Sequence, residues 1–215
     1  MFVVNIIIKR QKMLEILQYD FIQNALIAGV LISIAAGIIG SLVVVNKITF
    51  LTGGIAHSSY GGIGLAIYMG IPVLFGATVF AVLTAILIAI ITLKNRTRID
   101  AIIGMMWASG MAIGIIFVDL TPGYNVDLMS YLFGSIIAVS REDLIYMSVL
   151  DVFIISIVVF FYKQILAVSY DSEFASLRGI NVKFFYTLIL ILAALCVVAA
   201  IKAVGLILVI ALLTI

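Results

Sequence analysis

Residues 48–93 read ITFLTGGIAHSSYGGIGLAIYMGIPVLFGATVFAVLTAILIAIITL, 46 residues without an Asp, Glu, Lys or Arg. A spanning helix needs roughly 20 apolar residues to cross about 30 Å of hydrocarbon. As one helix this stretch would run about 69 Å, more than twice that thickness. It therefore predicts two spans, not one. The break falls at Gly70-Ile71-Pro72, where glycine permits a turn and proline lacks a backbone donor.

The same reading extends in both directions. Of the 215 residues, 66% are hydrophobic and 10% charged, with a mean hydropathy of +1.39. Soluble domains run about 45–50% apolar and about 25% charged, so a soluble globular domain is excluded. With 12 basic and 10 acidic residues there is no dense basic face to neutralise phosphates, and no nucleic-acid partner is expected. Cys196 is the only cysteine, which excludes a disulfide scaffold. One span is predicted between Asp20 and Lys47. Others lie between Asp100 and Asp119, from about Leu144 to Tyr162, and between Lys183 and Lys202. Together with the two in 48–93 these make six.

Two segments depart from that pattern. Residues 128–140, LMSYLFGSIIAVS, are apolar but too short to span, which predicts a re-entrant or short interfacial helix. Residues 203–215 form an apolar run of about 20 Å as a helix, an incomplete last span. It has no anchor for a chain end, so residues 1–215 are expected to be a fragment, or the ordered part, of a longer single transmembrane domain with two or more further helices. At the other end, residues 1–12 read as a tail, with Met13 an alternative start.

Orientation follows from the Lys and Arg residues in the loops. With the first span running inward, the inside holds Lys47, Lys94, Arg96, Arg98, Lys163, Arg178 and Lys183. The outside holds Arg141 and Lys202, joined by Lys9, Arg10 and Lys12 if the tail is native. The loop 119–127, DLTPGYNVD, then lies outside and is a docking surface by location.

Chemistry-bearing residues are scarce. There is no Walker A loop, no G-x-S-x-G elbow and no H-E-x-x-H helix, so the chain reads as a transport or structural subunit rather than an enzyme. His57 is the only histidine. It lies near mid-span, and Gly53, His57, Gly61 and Gly64 share a helical face. Small residues let helices approach closely in lipid, so His57 faces a packed interface or cavity. Neutral imidazole is a ligand for zinc, copper, iron and nickel, or else a hydrogen-bond donor between helices. Asp151 lies well inside its span and is either a functional carboxylate, a water-exposed residue near the outer face, or one bonded to a neighbouring helix. Residues 169–183 read as a short amphipathic helix capped by Asp171 or Ser172 and stopped by Gly179. Phe174, Ala175 and Leu177 would be its apolar contacts. It is either a linker or a lever for a cytosolic partner.

Four stretches together are similar to a known family. FIQNALIAGVLISIAAGIIGSLVVVNKITFLTGGIAHSSYGGIGLA, VDLMSYLFGSIIAVSREDL, YDSEFASLRGINV and IKAVGLILVIALLTI resemble, in order, the permease subunits of zinc and manganese ABC importers. The resemblance covers residues 13–215. It implies an all-α polytopic bundle in the cell membrane, normally a homodimer, served by an extracytoplasmic metal-binding protein and driven by a cytoplasmic ATPase. No permanent cofactor is implied, and the cargo is a divalent transition metal ion. By position, His57 matches the family's metal-path histidine, while Asp171, Glu173, Ala175 and Gly179 match the segment that couples to the ATPase. Many members carry an aspartate one turn before the histidine, where this chain has Gly53. Loss of that hard carboxylate places zinc ahead of manganese or iron. Competing readings are a permease for a metal chelate or cobamide, with a wide path and no histidine ligand, and a membrane assembly subunit without an ATPase.

Overall fold

The computed structural model describes residues 18–94, 99–122 and 129–214. The tail 1–12, Met13, Arg96, Arg98, Ile215 and the end of the 119–127 loop from residue 123 lie outside the described residues. Helix α1 is Asp20–Val45, α2 Thr49–Met69, α3 Val73–Lys94 and α4 Ile99–Asp119. The short α5, Met129–Phe133, and a 3-10 turn, Ile136–Ala138, follow. Then come α6, Arg141–Phe160; α7, Tyr162–Tyr170; α8, Ser172–Leu177; α9, Val182–Val204; and α10, Leu206–Thr214. Among the described residues there is no strand, and the chain is an all-α, multi-pass membrane bundle.

Local chemistry sets the helix ends. Gly70 adopts a left-handed φ of 67°, and the Ile71 amide donates to the Ala66 carbonyl, so α2 closes in a Schellman turn. Pro72 then starts α3, its carbonyl accepting from Phe75 and Gly76. α6 starts at Arg141, three residues earlier than hydropathy places the span. Ser140 and Asp143 form a reciprocal capping box, which satisfies free amides and extends the helix past its apolar stretch.

Five helices are long and apolar enough to cross a membrane: α1, α3, α4 from Ala101, α6 and α9. α2 is equally long but too polar to qualify. Its position explains how it is tolerated. Almost every residue from Leu51 to Gly64 is buried, and α2 packs chiefly on α4 and α3. α9 is also interior, with 72% of its most apolar window buried against 17% for α4, which therefore forms part of the periphery.

Glycines bring these helices together at backbone distance. A Cβ on Gly110 of α4 would lie 2.5 Å from Ser58 Cα, and one on Gly62 would lie 2.5 Å from the Gly76 carbonyl oxygen of α3. Neither space admits a methyl group. This is small-residue packing of the kind lipid favours, where dispersion between close backbones replaces hydrophobic expulsion from water.

α5 and the 3-10 turn pack beside the junction of α9 and α10. Gly134 (φ 71°) and Gly205 (φ 81°) meet backbone to backbone, and the Ser135 amide donates to the Lys202 carbonyl at 3.0 Å. Ile136 reaches Gly29 of α1, roughly 13 Å along that helix from Asp20. Lys202 Nζ donates to Asp143 Oδ2, which also accepts from the Ser140 amide at 2.8 Å. The exposed Arg141–Asp20 pair at 2.8 Å adds little, being open to screening.

The close packing predicts opposite outcomes at two glycines. Gly110→Ala forces α2 and α4 apart and is expected to cost about 1–3 kcal/mol. Gly37→Ala meets nothing within 4 Å and is expected to be neutral or to stabilise by up to about 1 kcal/mol through helix propensity. Melting of the detergent-solubilised variants checks this, and equal midpoints would contradict it.

Candidate functional site

The polar side chains of α2 turn their hydrogen bonds onto main-chain carbonyls. Thr52 Oγ1 donates to Thr49 O at 2.7 Å, Ser59 Oγ to Ala56 O at 2.6 Å, and Ser58 Oγ crosses to Met106 O of α4 at 3.0 Å. Hydroxyls satisfied this way leave no strong donor over. His57 differs. Its Nδ1 lies 3.0 Å from the Gly53 carbonyl oxygen, which can only accept, so Nδ1 carries the proton in the neutral ring. Nε2 then holds its lone pair in the ring plane. A ligating histidine is commonly fixed by this kind of second hydrogen bond to a carbonyl.

One face of the imidazole is covered by Trp107 of α4, with ring centroids 3.7 Å apart and planes at 28°. His57 is 9% exposed. Gly53 is buried as well, yet a Cβ placed there would meet nothing within 4 Å. Open space therefore adjoins the histidine one turn back along α2. Among the described residues no three His, Cys, Asp or Glu side chains cluster as a metal cage. At this position the described residues place one ring nitrogen beside that space.

Asp151 is not part of that site. It is 3% exposed on the face of α6 that also buries Met147 and Ile154, and α6 packs on α1 and α9, whereas α2 packs chiefly on α3 and α4. Among the described residues its Oδ2 has no hydrogen-bond partner. Lys202, in the last turn of α9, pairs with Asp143 instead.

The short capped helix expected within residues 169–183 is α8. The chain breaks at Asp171 into α7 and α8, and Asp171 Oδ1 caps α8 by accepting from Glu173 N at 3.0 Å and Phe174 N at 2.9 Å. Gly179 has φ 76°, and the Ile180 amide returns to the Ala175 carbonyl, which ends the element. The expected apolar set splits across two faces. Ala175 is fully buried, whereas Leu177 is 88% exposed and Phe174, carrying Arg178 over its ring at 5.0 Å, is 49% exposed. In so short a helix, burial of one side chain against the bundle turns its neighbours outward. Every residue from Asp171 to Gly179 except Ala175 is exposed. Sequence reasoning missed the stacking of Trp107 on His57 and the pairing of Lys202 with Asp143, because the partners in each contact are distant in the chain.

Residues 18–215 match the family described as the ABC 3 transport family. The chain is 46% identical to the membrane protein slr2045 of Synechocystis sp., over 95% of this chain and 73% of that protein. It is 33% identical to the manganese transport system membrane protein MntC of Listeria monocytogenes, over 92% and 70%. Among solved structures it is similar to PsaBC from Streptococcus pneumoniae in complex with Fab, with a TM-score of 0.83, 31% identity, and coverage of 94% of this chain and 73% of that one. The chain spans 64% to 73% of the length of such curated relatives.

The geometry of α8 makes a labelling prediction. In inside-out vesicles, Leu177→Cys should react with a membrane-impermeant maleimide and Ala175→Cys should resist until the protein is denatured. Equal rates would contradict the burial pattern, and labelling of Leu177→Cys only from the outside would invert the orientation.

Proposed function

Because the chain belongs to the ABC 3 transport family, we propose that it is the membrane permease of an ATP-driven importer of divalent transition metal ions, with His57 as a ligand on the ion's path. The observation that carries the histidine's role is the fixed ring. Nδ1 is committed to Gly53 and, among the described residues, Nε2 makes no hydrogen bond, on a buried helix beside open space. A single neutral nitrogen binds a transition metal while remaining weak enough to release it, as conduction requires.

ATP hydrolysis belongs to a separate cytoplasmic subunit. Asp171, Glu173, Ala175 and Gly179 form the segment that engages it, Asp171 and Gly179 by setting the ends of α8, Ala175 by seating it, and Glu173 by direct contact. An extracytoplasmic binding protein delivers the ion, and two copies of the permease assemble around the path. Residues 128–140 act as the re-entrant element, a reading supported by the reach of Ile136 to Gly29.

Zinc leads on site chemistry, because Gly53 leaves the position without the hard oxygen that manganese favours. The likeness to a manganese transport protein supports manganese. Competition between the two ions for uptake by the wild-type protein separates them. A permease for a metal chelate or cobamide is the alternative, and it would work without His57.

His57→Ala is expected to abolish metal uptake while membrane insertion and assembly persist. Uptake at the wild-type rate would refute the ligand role, and failure to assemble would identify a structural histidine. Gly53→Asp places its Cβ in open space and should raise manganese uptake relative to zinc. An unchanged ratio would dissociate position 53 from metal choice.

A further inference from the structure

We propose that Trp107 is a positioning residue for metal transfer, holding the His57 imidazole by its face so that Nε2 is presented in one direction. The inference rests on the proposed ligand role of His57. The bond from Nδ1 to Gly53 tethers one corner of the ring. A tether of that kind leaves the ring free to tilt about it. The indole, stacked at 3.7 Å and 28° from parallel, blocks that tilt on one side. Edge and face constraints together define both the plane and the heading of the ring. Because a nitrogen lone pair lies in that plane, stacking leaves it available for an ion.

Trp107 is itself held in place. On one side, Ser58 Oγ donates to the carbonyl of Met106, the preceding residue. On the other, Gly110 lies against the Ser58 backbone, less than a turn further along α4. The helix carrying the indole is thus pinned to the helix carrying the histidine just before and just after the stack. Gly53, four residues before the histidine, and Gly104, three before the tryptophan, would each place a Cβ in open space, so neither position supplies a side chain beside the rings.

A ring without its stack must be ordered by the ion when it binds, so the deficit should fall on binding. With the partner subunits present in membrane vesicles, Trp107→Leu is expected to raise the KM for zinc uptake about three- to tenfold, the usual cost of ordering one side chain. The maximal rate should stay within about twofold of wild type. Trp107→Phe, which keeps a flat ring, should restore most of the KM. Should Trp107→Leu fail to assemble, Trp107→Met fills similar volume without a flat face and is compared with Trp107→Phe instead. A wild-type KM in the Leu or Met variant, alongside loss of uptake in His57→Ala, would overturn the positioning role and leave the ligand role standing. Unimpaired uptake by His57→Ala would overturn both. A higher maximal rate at unchanged KM would show Trp107 to be a plug in the path, which also overturns the proposal.

Discussion

The contact of glycine Cα atoms with neighbouring backbones around α2 is the constraint on which the other features depend. At Gly62 and Gly110 the space for a side chain is already filled by main chain of another helix. In lipid, apolar side chains gain little by leaving the tails, so helices hold together by packing and by interhelical hydrogen bonds. Close approach strengthens both. It allows Ser58 to reach a carbonyl on α4, and it sets the separation at which an indole and an imidazole can stack. A wider spacing would leave His57 with one restraint and a gap.

α9 relates the two ends of the bundle. At one end its first turn is capped by Asn181, whose Oδ1 accepts from the Phe184 amide, immediately after the segment that includes α8. At the other end Lys202 reaches Asp143, and Gly205 meets Gly134. Between them the helix is buried for most of its length. A rigid, enclosed rod joins the surface exposed at Leu177 to the crossing of the two broken segments. Gly205 is buried, so the irregular backbone at the break between α9 and α10 lies inside protein, where lipid does not meet it.

What the sequence disclosed was local. The turn at Gly70 and Pro72, the cap at Asp171 and the stop at Gly179 depend on residues within a few positions of one another, and each was readable from residue type. The paucity of charge in 48–93 was enough to require two helices. The pairing of Lys202 with Asp143, 59 positions away, left no periodic trace, because either charge could have faced water at a helix end. The same holds for Trp107 over His57, which depends on the register of α4 against α2. Ala175 shows the limit from another side. In a helix of six residues no pattern repeats, so the direction of burial is decided by the bundle rather than by spacing.

α2 is long enough to span but less apolar than the five helices that qualify as spans, since glycine, serine, threonine and histidine occupy its centre. Insertion machinery weighs each emerging segment against the bilayer, and such a segment is favoured only weakly. The tight turn at Gly70 ties α2 to α3, which is strongly apolar, and brings its partner into being within moments of its own synthesis. The turn lets α2 and α3 enter as a helical hairpin before α4 supplies the Met106 carbonyl that accepts from Ser58. The order of the helices along the chain therefore bears on how the protein reaches its membrane, and the interior helix that carries the histidine relies on the apolar α3 that follows it.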